Sequence, residues 1–292
     1  MSDRNQKPLV GNFTPSDWNW AAKRVEELCK KVHVTDALSL FFKKVVFSAI
    51  SGRHGMRASG VWLLGESGSG KTTAIKKCMQ ELSRDDRLDS SIPSILLPLL
   101  PGPTMHTIVR GLLGKLKYPF ANARTFGERA ELLFDVIRKK NIRVIFIDEV
   151  QHIVALNRTA NQVEIRDFFK RLLDETNVCL VLSGLPVAKK LREQDQQLAS
   201  RMSGEVVLTC NFSDPEGRAL VEALIDLSPI QFEPSACERV LNAFAARDKA
   251  NLRVISAVIE EATKIAALMR SISVDESHVL QAFGLTFLRA SE

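Results

Sequence analysis

The apolar positions of this 292-residue chain follow two different patterns. Between residues 59 and 212, short continuous apolar runs alternate with segments whose apolar residues recur at helical spacing. Such runs are typical of strands buried on both faces of a parallel sheet. The five candidate strands lie in the sequences SGVWLLG, SIPSILLPLL, IRVIFIDE, NVCLVLSGLP and GEVVLTCNF. The alternation predicts an α/β fold with a parallel sheet flanked by helices.

The second candidate strand differs from the others because it contains Pro93 and Pro98. Proline cannot donate a hydrogen bond to a neighbouring strand, so it is mostly confined to edge strands and strand ends. We therefore expect this strand at an edge of the sheet, or limited to a few residues.

The strand pattern stops after Phe212, and four segments with helical spacing follow. The first of them opens with Ser213 and Asp214 as candidate caps and Pro215 at an early helical position. Two more helical segments precede the first strand. We therefore predict a helical N-terminal lead-in (1–58), an α/β core (59–212) and a small all-helical domain (213–292).

Composition is ordinary for a globular protein, with 45% hydrophobic and 25% charged residues. No apolar run approaches the roughly 20 residues that span a bilayer, and the N-terminal residues lack a secretory apolar segment. The five cysteines are odd in number and scattered, which favours reduced thiols and a cytoplasmic location. We expect no membrane partner.

The net charge of +6 is unevenly distributed. Residues 1–60 carry ten Lys and Arg against five Asp and Glu, and residues 104–145 carry nine against three. Clustered cations indicate a polyanionic partner such as nucleic acid. Solvated helix faces explain the same charges equally well, so both interpretations stay open.

The sequence GESGSGKT lies between a predicted strand and a predicted helix and matches the pattern G-x-x-x-x-G-K-[ST]. The glycines allow backbone N–H groups to surround phosphate oxygens at the start of the helix. Lys71 would bridge the β- and γ-phosphates, and the Thr72 hydroxyl would bind Mg²⁺. The predicted nucleotide contacts are Gly65, Glu66, Ser67, Gly68, Ser69, Gly70, Lys71, Thr72 and Thr73.

An acidic pair follows the third predicted strand, where VIFIDE ends in Asp148 and Glu149. Asp148 is a candidate for holding Mg²⁺, and Glu149 for polarising the attacking water as general base. A kinase or a GTPase does not need the second carboxylate. The phosphate loop and the acidic pair together predict Mg²⁺-dependent ATP hydrolysis.

Five segments of the chain resemble, in the same order, the motifs of an AAA+ ATPase. GESGSGKT resembles Walker A, VIFIDEVQH resembles Walker B, VLSGLP resembles sensor 1, QQLASRMS resembles the arginine-finger segment and NLRVI resembles sensor 2. More narrowly, the chain resembles the TniB/TnsC-like ATPases of bacterial transposons over residues 15–285. That resemblance includes the DE-x-x-H sequence that ends at His152, and the polar sensor followed by G-x-P. We interpret His152 as a structural or coupling residue.

The resemblance implies roles for three further residues. Ser183 takes the sensor-1 position, where the family often has Asn or Thr. Arg201 takes the position of the finger that reaches a neighbour's nucleotide, with Arg192 as a rival. Arg253 takes the sensor-2 position at the start of a lid helix.

The resemblance also implies a function, namely an ATP-controlled oligomer that assembles on duplex DNA and marks a transposition target. It would recruit or activate a transposase through a TniQ/TnsD-like adaptor, as a closed ring or as an open helix. The predicted contacts with DNA phosphates, independent of base sequence, are Arg110, Lys115, Lys117 and Arg124. The alternative is an AAA+ helicase loader or replication initiator. An unfoldase and a small-molecule kinase are disfavoured.

Overall fold

The computed structural model describes residues 35–53, 56–83, 92–118, 126–156, 159–202, 204–209, 211–245, 251–269 and 271–288. These residues group into two compact units. The first runs up to Glu66 and continues with Lys71–Leu208, and the second combines Ser67–Gly70 with Thr209–Glu292. The predicted helix over residues 14–32 lies outside the described residues.

The first unit alternates strands and helices. Its strands are β1 (Val61–Gly65), β2 (Ser94–Pro98), β3 (Val144–Asp148), β4 (Cys179–Gly184) and β5 (Gly204–Leu208). Its α-helices are α1 (Asp36–Arg53), α2 (Lys71–Leu82), α3 (Met105–Lys115), α4 (Phe126–Lys139), α5 (Gln151–Val154), α6 (Thr159–Thr176), α7 (Lys189–Glu193) and α8 (Gln196–Arg201). A 3₁₀ turn, Pro186–Ala188, joins β4 to α7.

The five strands form one parallel sheet in the order β2-β3-β4-β1-β5. All five predicted strands are present. β2 lies at an edge of the sheet, with Pro98 as its last residue and Pro93 just before its first, as the prolines predicted. The predicted parallel α/β class is confirmed.

Alternation along the inner strands divides the core of this unit between the two faces of the sheet, because successive side chains of a strand point to opposite faces. Trp62 and Leu64 of β1 belong to one apolar cluster, which includes residues of α3, α4 and α6. Val61 and Leu63 belong to the other, which includes residues of α1 and α2. Strands covered on both faces read as continuous apolar runs, which is the pattern seen in the sequence.

The second unit is helical, with α9 (Pro215–Ile225), α10 (Pro234–Ala245), α11 (Leu252–Leu268) and α12 (Glu276–Leu288). The Asp214 side chain caps α9 by accepting a hydrogen bond of 2.7 Å from the N–H of Gly217, and Pro215 is the first helical residue. Asp214 is thus the cap out of the two predicted candidates, and Pro215 occupies the early helical position that the sequence predicted. Phe212, Val240 and Ile255 belong to a separate apolar core.

The helix before β4 begins earlier than its apolar pattern indicates. The sequence predicts a helix over 163–175, whereas α6 starts at Thr159. The added turn has Ala160 as its one apolar residue, so it carries no periodic apolar signal. Among the described helices, none is long and apolar enough to cross a membrane.

Candidate nucleotide site

The glycine-rich loop connects β1 to α2. Gly65 is the last residue of β1, and Lys71 is the first of α2. Gly68 and Gly70 have φ values of +78° and +88°, a region that side chains with a Cβ disfavour. The two glycines therefore allow the backbone turn that a phosphate-binding loop requires.

Lys71 is largely buried, and its ammonium group contacts backbone carbonyls at the start of the loop. Its Nζ donates to Gly65 O at 2.7 Å and to Glu66 O at 2.8 Å. These contacts place a buried positive charge between the end of β1 and the first turn of α2. An anion at this helix N-terminus would meet both that charge and the N–H groups of the first helical turn.

Thr72 and Asp148 come together although they lie on different sequence motifs. The Thr72 hydroxyl donates to Asp148 Oδ2 at 2.7 Å. β4 lies between β1 and β3 in the sheet, so these two strands do not pair directly. The two motifs come together because both are at the carboxyl ends of parallel strands, which lie at the same end of the sheet. Asp148 is only 2% exposed, and the N–H of Glu149 donates to its Oδ1 at 3.0 Å.

Glu149 has a φ of +62°, which is uncommon for a residue other than glycine. Its carboxylate accepts a hydrogen bond from the side-chain amide of Gln151. The sequence prediction did not include Gln151. The residue lies in the quoted VIFIDEVQH stretch, but its role depends on a contact with Glu149 that no spacing rule reveals.

Ser183 lies in β4, directly between the strands that carry the two motifs. Its backbone carbonyl accepts a hydrogen bond of 3.0 Å from the N–H of Val150. Its hydroxyl is fully buried and has no hydrogen-bond partner among the residues that the structure describes. The hydroxyl is thus a buried polar group adjoining the candidate site with its bonding capacity unused.

A sequence model of the family described as bacterial TniB protein matches residues 49–210, which is more than half of the chain. The match includes the phosphate loop, the acidic pair, Ser183 and Arg201. The chain belongs to the TniB family. The predicted family is therefore confirmed. No curated protein matches the sequence.

Solved structures of three AAA+ proteins resemble this TniB-family chain in fold. The ORC2 protein of Aeropyrum pernix, in ADPNP–ADP complexes, aligns with a TM-score of 0.65 at 17% identity over 97% of this chain and 70% of its own. ORC1 of the same organism, in complex with DNA, aligns with a TM-score of 0.62 at 18% identity, over 94% of this chain and 66% of its own. The RuvB Holliday junction branch migration motor of Thermotoga maritima aligns with a TM-score of 0.50 at 15% identity, over 91% of this chain and 68% of its own. The TniB-family chain thus has the AAA+ fold and spans about two thirds of each longer protein.

Both candidate finger residues of the TniB-family chain form ion pairs within the first unit. Arg201, the last residue of α8, donates to both carboxylate oxygens of Asp174 at 2.8–3.0 Å. Arg192 pairs with Glu205 on β5. The finger role concerns a neighbouring subunit and stays a prediction for both arginines.

Arg253 lies in the second unit and is exposed in the first turn of α11. The tip of the glycine-rich loop groups with this unit, and the N–H of Leu252 donates to Gly68 O at 3.2 Å. Asn251 caps α11 through its side chain, which accepts from the N–H of Val254 at 3.1 Å. Arg253 is therefore one residue from a direct contact with the loop tip.

The predicted DNA contacts fall on and after α3. Arg110 and Lys115 are exposed on this helix, and Lys117 follows it with an exposed side chain and a φ of +52°. Arg124 lies outside the described residues. The structure thus gives solvent access to three of the four predicted cations.

Proposed function

We propose that this TniB-family protein is an ATP-dependent regulator of DNA transposition. It binds and hydrolyses ATP with Mg²⁺, oligomerises on duplex DNA in the cytoplasm, marks the target and recruits or activates a transposase through an adaptor of the TniQ/TnsD kind. The observation that carries the proposal is the 2.7 Å contact between Thr72 Oγ1 and Asp148 Oδ2, because it brings the two predicted halves of a nucleotide site together.

ATP binding would depend first on Lys71. Its ammonium lies at the N-terminus of α2 and contacts the carbonyls of Gly65 and Glu66, close to where a β-phosphate would approach the loop. Exchange of those carbonyl contacts for phosphate oxygens would keep the buried charge paired. Thr73 is exposed in the same helical turn and is available to the phosphates.

The Thr72 hydroxyl and the Asp148 carboxylate are two oxygen ligands, which suits a magnesium ion that also binds phosphates and water. They do not suit a metal ion that is held by protein ligands alone. Mg²⁺ is usually bound by one or two protein oxygens, with phosphates and water completing its coordination. Among the described residues, no group of three or more His, Cys, Asp or Glu side chains could hold a metal ion by itself. When bound, Mg²⁺ would neutralise charge on the phosphates during transfer.

Hydrolysis would require Glu149 to take a proton from water. Glu149 is half-buried and directly follows β3. It lies at the carboxyl end of the sheet, as Thr72 and Ser183 do. The Ser183 hydroxyl, which lacks a partner among the described residues, would donate to the γ-phosphate or to the attacking water. These two side chains therefore supply a base and a hydrogen-bond donor beside the reacting phosphate.

Oligomerisation would place an arginine of one chain beside the nucleotide of the next. Because Arg201 is already paired with Asp174, and Arg192 with Glu205, either finger must exchange an ion pair within its own chain for a phosphate of its neighbour. Such an exchange makes assembly depend on the nucleotide. Arg253 would contact the phosphates of the nucleotide that its own chain binds.

DNA binding would use phosphate contacts from Arg110, Lys115, Lys117 and Arg124. The three described members of this set are exposed, and they belong to the segment with nine cations against three anions. Contacts of this kind fix the position of a protein on DNA without reading its sequence. Target choice would therefore come from the adaptor.

A second candidate function is that of a helicase loader or replication initiator. The likeness to ORC1, whose structure contains DNA, favours it, but at 18% identity that likeness concerns the fold. Membership of the TniB family favours the transposition role.

Electron microscopy of the protein on duplex DNA, with and without a non-hydrolysable ATP analogue, tests the proposal. We expect regular oligomers on DNA only with the analogue, and capture of the cognate transposase by those oligomers but not by the free protein. Assembly without nucleotide, or capture of a replicative helicase in place of the transposase, would contradict it.

A further inference from the structure

The side chain of Gln151 connects two parts of the candidate site that are far apart in sequence. Its Nε2 donates to Glu149 Oε2, and its Oε1 accepts a hydrogen bond of 3.1 Å from the backbone N–H of Leu185. Leu185 directly follows β4, the strand that carries Ser183. We propose that Gln151 is a positioning residue, which holds the Glu149 carboxylate and links it to the turn after Ser183. This inference rests on the proposed ATPase function.

The two partners define the orientation of the Gln151 amide. An ionised carboxylate only accepts hydrogen bonds, and a backbone N–H only donates them. The NH₂ group must therefore face Glu149 and the carbonyl oxygen must face Leu185. Glutamine satisfies both partners at once, whereas a glutamate at this position would lack the donor and a leucine would lack both groups.

Gly184 makes room for this amide. A Cβ on Gly184 would lie 2.6 Å from Gln151 Oε1 and 3.0 Å from Cγ2 of Val150. The next residue supplies the N–H that binds Gln151, and Pro186 then begins the 3₁₀ turn. The arrangement thus gives a physical reason for the G-x-P sequence after Ser183. The predicted nucleotide contacts alone do not explain this sequence.

Glu149 is held at its backbone as well as at its side chain. Its N–H is bound to Asp148 Oδ1, and the following N–H, of Val150, is bound to Ser183 O. The side chain of a glutamate still has three rotatable bonds, and this one is only half-buried. The Gln151 amide occupies Oε2, which leaves Oε1 to accept a proton from a fixed direction. A general base acts only within hydrogen-bond reach of the proton that it removes.

Steady-state ATP hydrolysis by the full chain tests this role. Because small misplacements of catalytic groups are costly, we expect Gln151→Ala to lower kcat by about tenfold to a hundredfold. ATP affinity, measured with a fluorescent analogue, should stay within about twofold, because Gln151 contacts neither Lys71 nor Thr72. Gln151→Glu, of the same shape but without the donor, should lose at least as much. Gln162→Ala is the matched control, since Gln162 binds the carbonyls of Val154 and Leu156 instead.

A double-mutant cycle separates positioning from a general structural effect. In the Glu149→Gln background, where no carboxylate remains to be oriented, adding Gln151→Ala should change the residual rate by less than about twofold. Gly184→Ala should lower kcat in the wild-type background and have a smaller effect beside Gln151→Ala.

The inference is overturned if Gln151→Ala leaves kcat unchanged, raises it, or lowers it equally in both backgrounds, or if ATP affinity falls in parallel. Loss of the proposed function looks different. In that case the wild type itself would show no turnover above Lys71→Ala, and Glu149→Gln would change nothing.

Discussion

Arg201 and Asp174 form a bidentate ion pair within one chain, with Nε 3.0 Å from both carboxylate oxygens and a terminal nitrogen 2.8 Å from one of them. Arg57 binds the same carboxylate at 2.9 Å. The hydrogen bond from Arg201 holds the pKa of Asp174 below its ordinary value, with burial acting in the opposite direction and Arg57 adding to the decrease. The residue predicted to act on a neighbour's nucleotide is therefore bound by its own subunit.

The lowered pKa of Asp174 predicts a pH-dependent contribution to stability. A carboxyl group whose pKa is depressed by folding stabilises the protein above its unfolded pKa of about 3.9 and loses that contribution as the pH falls through the folded value. Asp174→Asn should therefore lower the free energy of unfolding at pH 7, by at most about 1 kcal/mol because the side chain is 42% exposed. Urea unfolding at pH 7 and pH 3 measures the difference, which should be smaller at pH 3. An equal deficit at both pH values would contradict the assignment.

Arg201→Ala should leave ATP binding by the monomer nearly intact while it weakens hydrolysis and ATP-dependent assembly. The reason is geometric, since a finger acts only across a subunit boundary. A mixture of this variant with Lys71→Ala should be more active than either variant alone. The site would combine the phosphate loop of one chain with the arginine finger of its neighbour, and each variant lacks a different one of these two parts. Arg192→Ala, which removes the pair with Glu205, is the control. If only the Arg192 variant complements Lys71→Ala, the finger is Arg192.

Lys71→Ala and Glu149→Gln should separate nucleotide binding from hydrolysis. The first removes the buried cation at the N-terminus of α2 and should abolish binding of a fluorescent ATP analogue. The second keeps the phosphate contacts but removes the base, so it should retain ATP, hydrolyse it at least about a hundredfold more slowly and trap oligomers on DNA. Undiminished binding by Lys71→Ala would refute the phosphate-loop assignment, and wild-type turnover by Glu149→Gln would assign the base to another residue.

Ser183→Ala should reduce hydrolysis without reducing stability. The Ser183 hydroxyl is buried and unpaired within the described part of the chain. Such a group costs about 1–3 kcal/mol, so its removal should leave the melting temperature unchanged or raise it. Turnover should fall because the hydroxyl no longer reaches the reacting phosphate. Ser48→Ala is the matched control, since this buried hydroxyl is bonded to the backbone of Ser59 and its loss should be destabilising. Equal destabilisation by the two substitutions would show that Ser183 is merely a core residue.

DNA binding should require ATP and weaken steeply with salt. Each neutralised phosphate contributes about −0.9 to the slope of log K against log salt on duplex DNA. Lys115→Glu with Lys117→Glu should therefore impair binding on all sequences and flatten the slope, while ATP binding survives. The double variant Lys76→Glu and Lys77→Glu, with the same charge change on exposed residues of α2, is the control. Wild-type affinity and slope for the first pair would exclude this surface and direct the search to the cations over residues 23–44.

Much of this protein could be predicted from local features of the sequence. The apolar runs of β1 and β3 indicate strands covered on both faces, because only a doubly buried strand has no polar alternation. Pro93 and Pro98 place β2 at an edge, since a missing N–H is tolerated there. The glycine-rich loop is equally local, because positive φ values and the start of a helix are properties of consecutive residues.

The relationships between distant residues could only come from the tertiary structure. The order of the strands places β4 between the two nucleotide motifs, and that order brings Thr72 to Asp148 and Ser183 to Val150. The ion pair of Arg201 and the amide bridge of Gln151 likewise join residues by hydrogen bonds whose geometry no periodicity encodes. Sequence patterns report which face of a strand or helix is buried, whereas a site depends on distances between side chains that meet only after the sheet has formed.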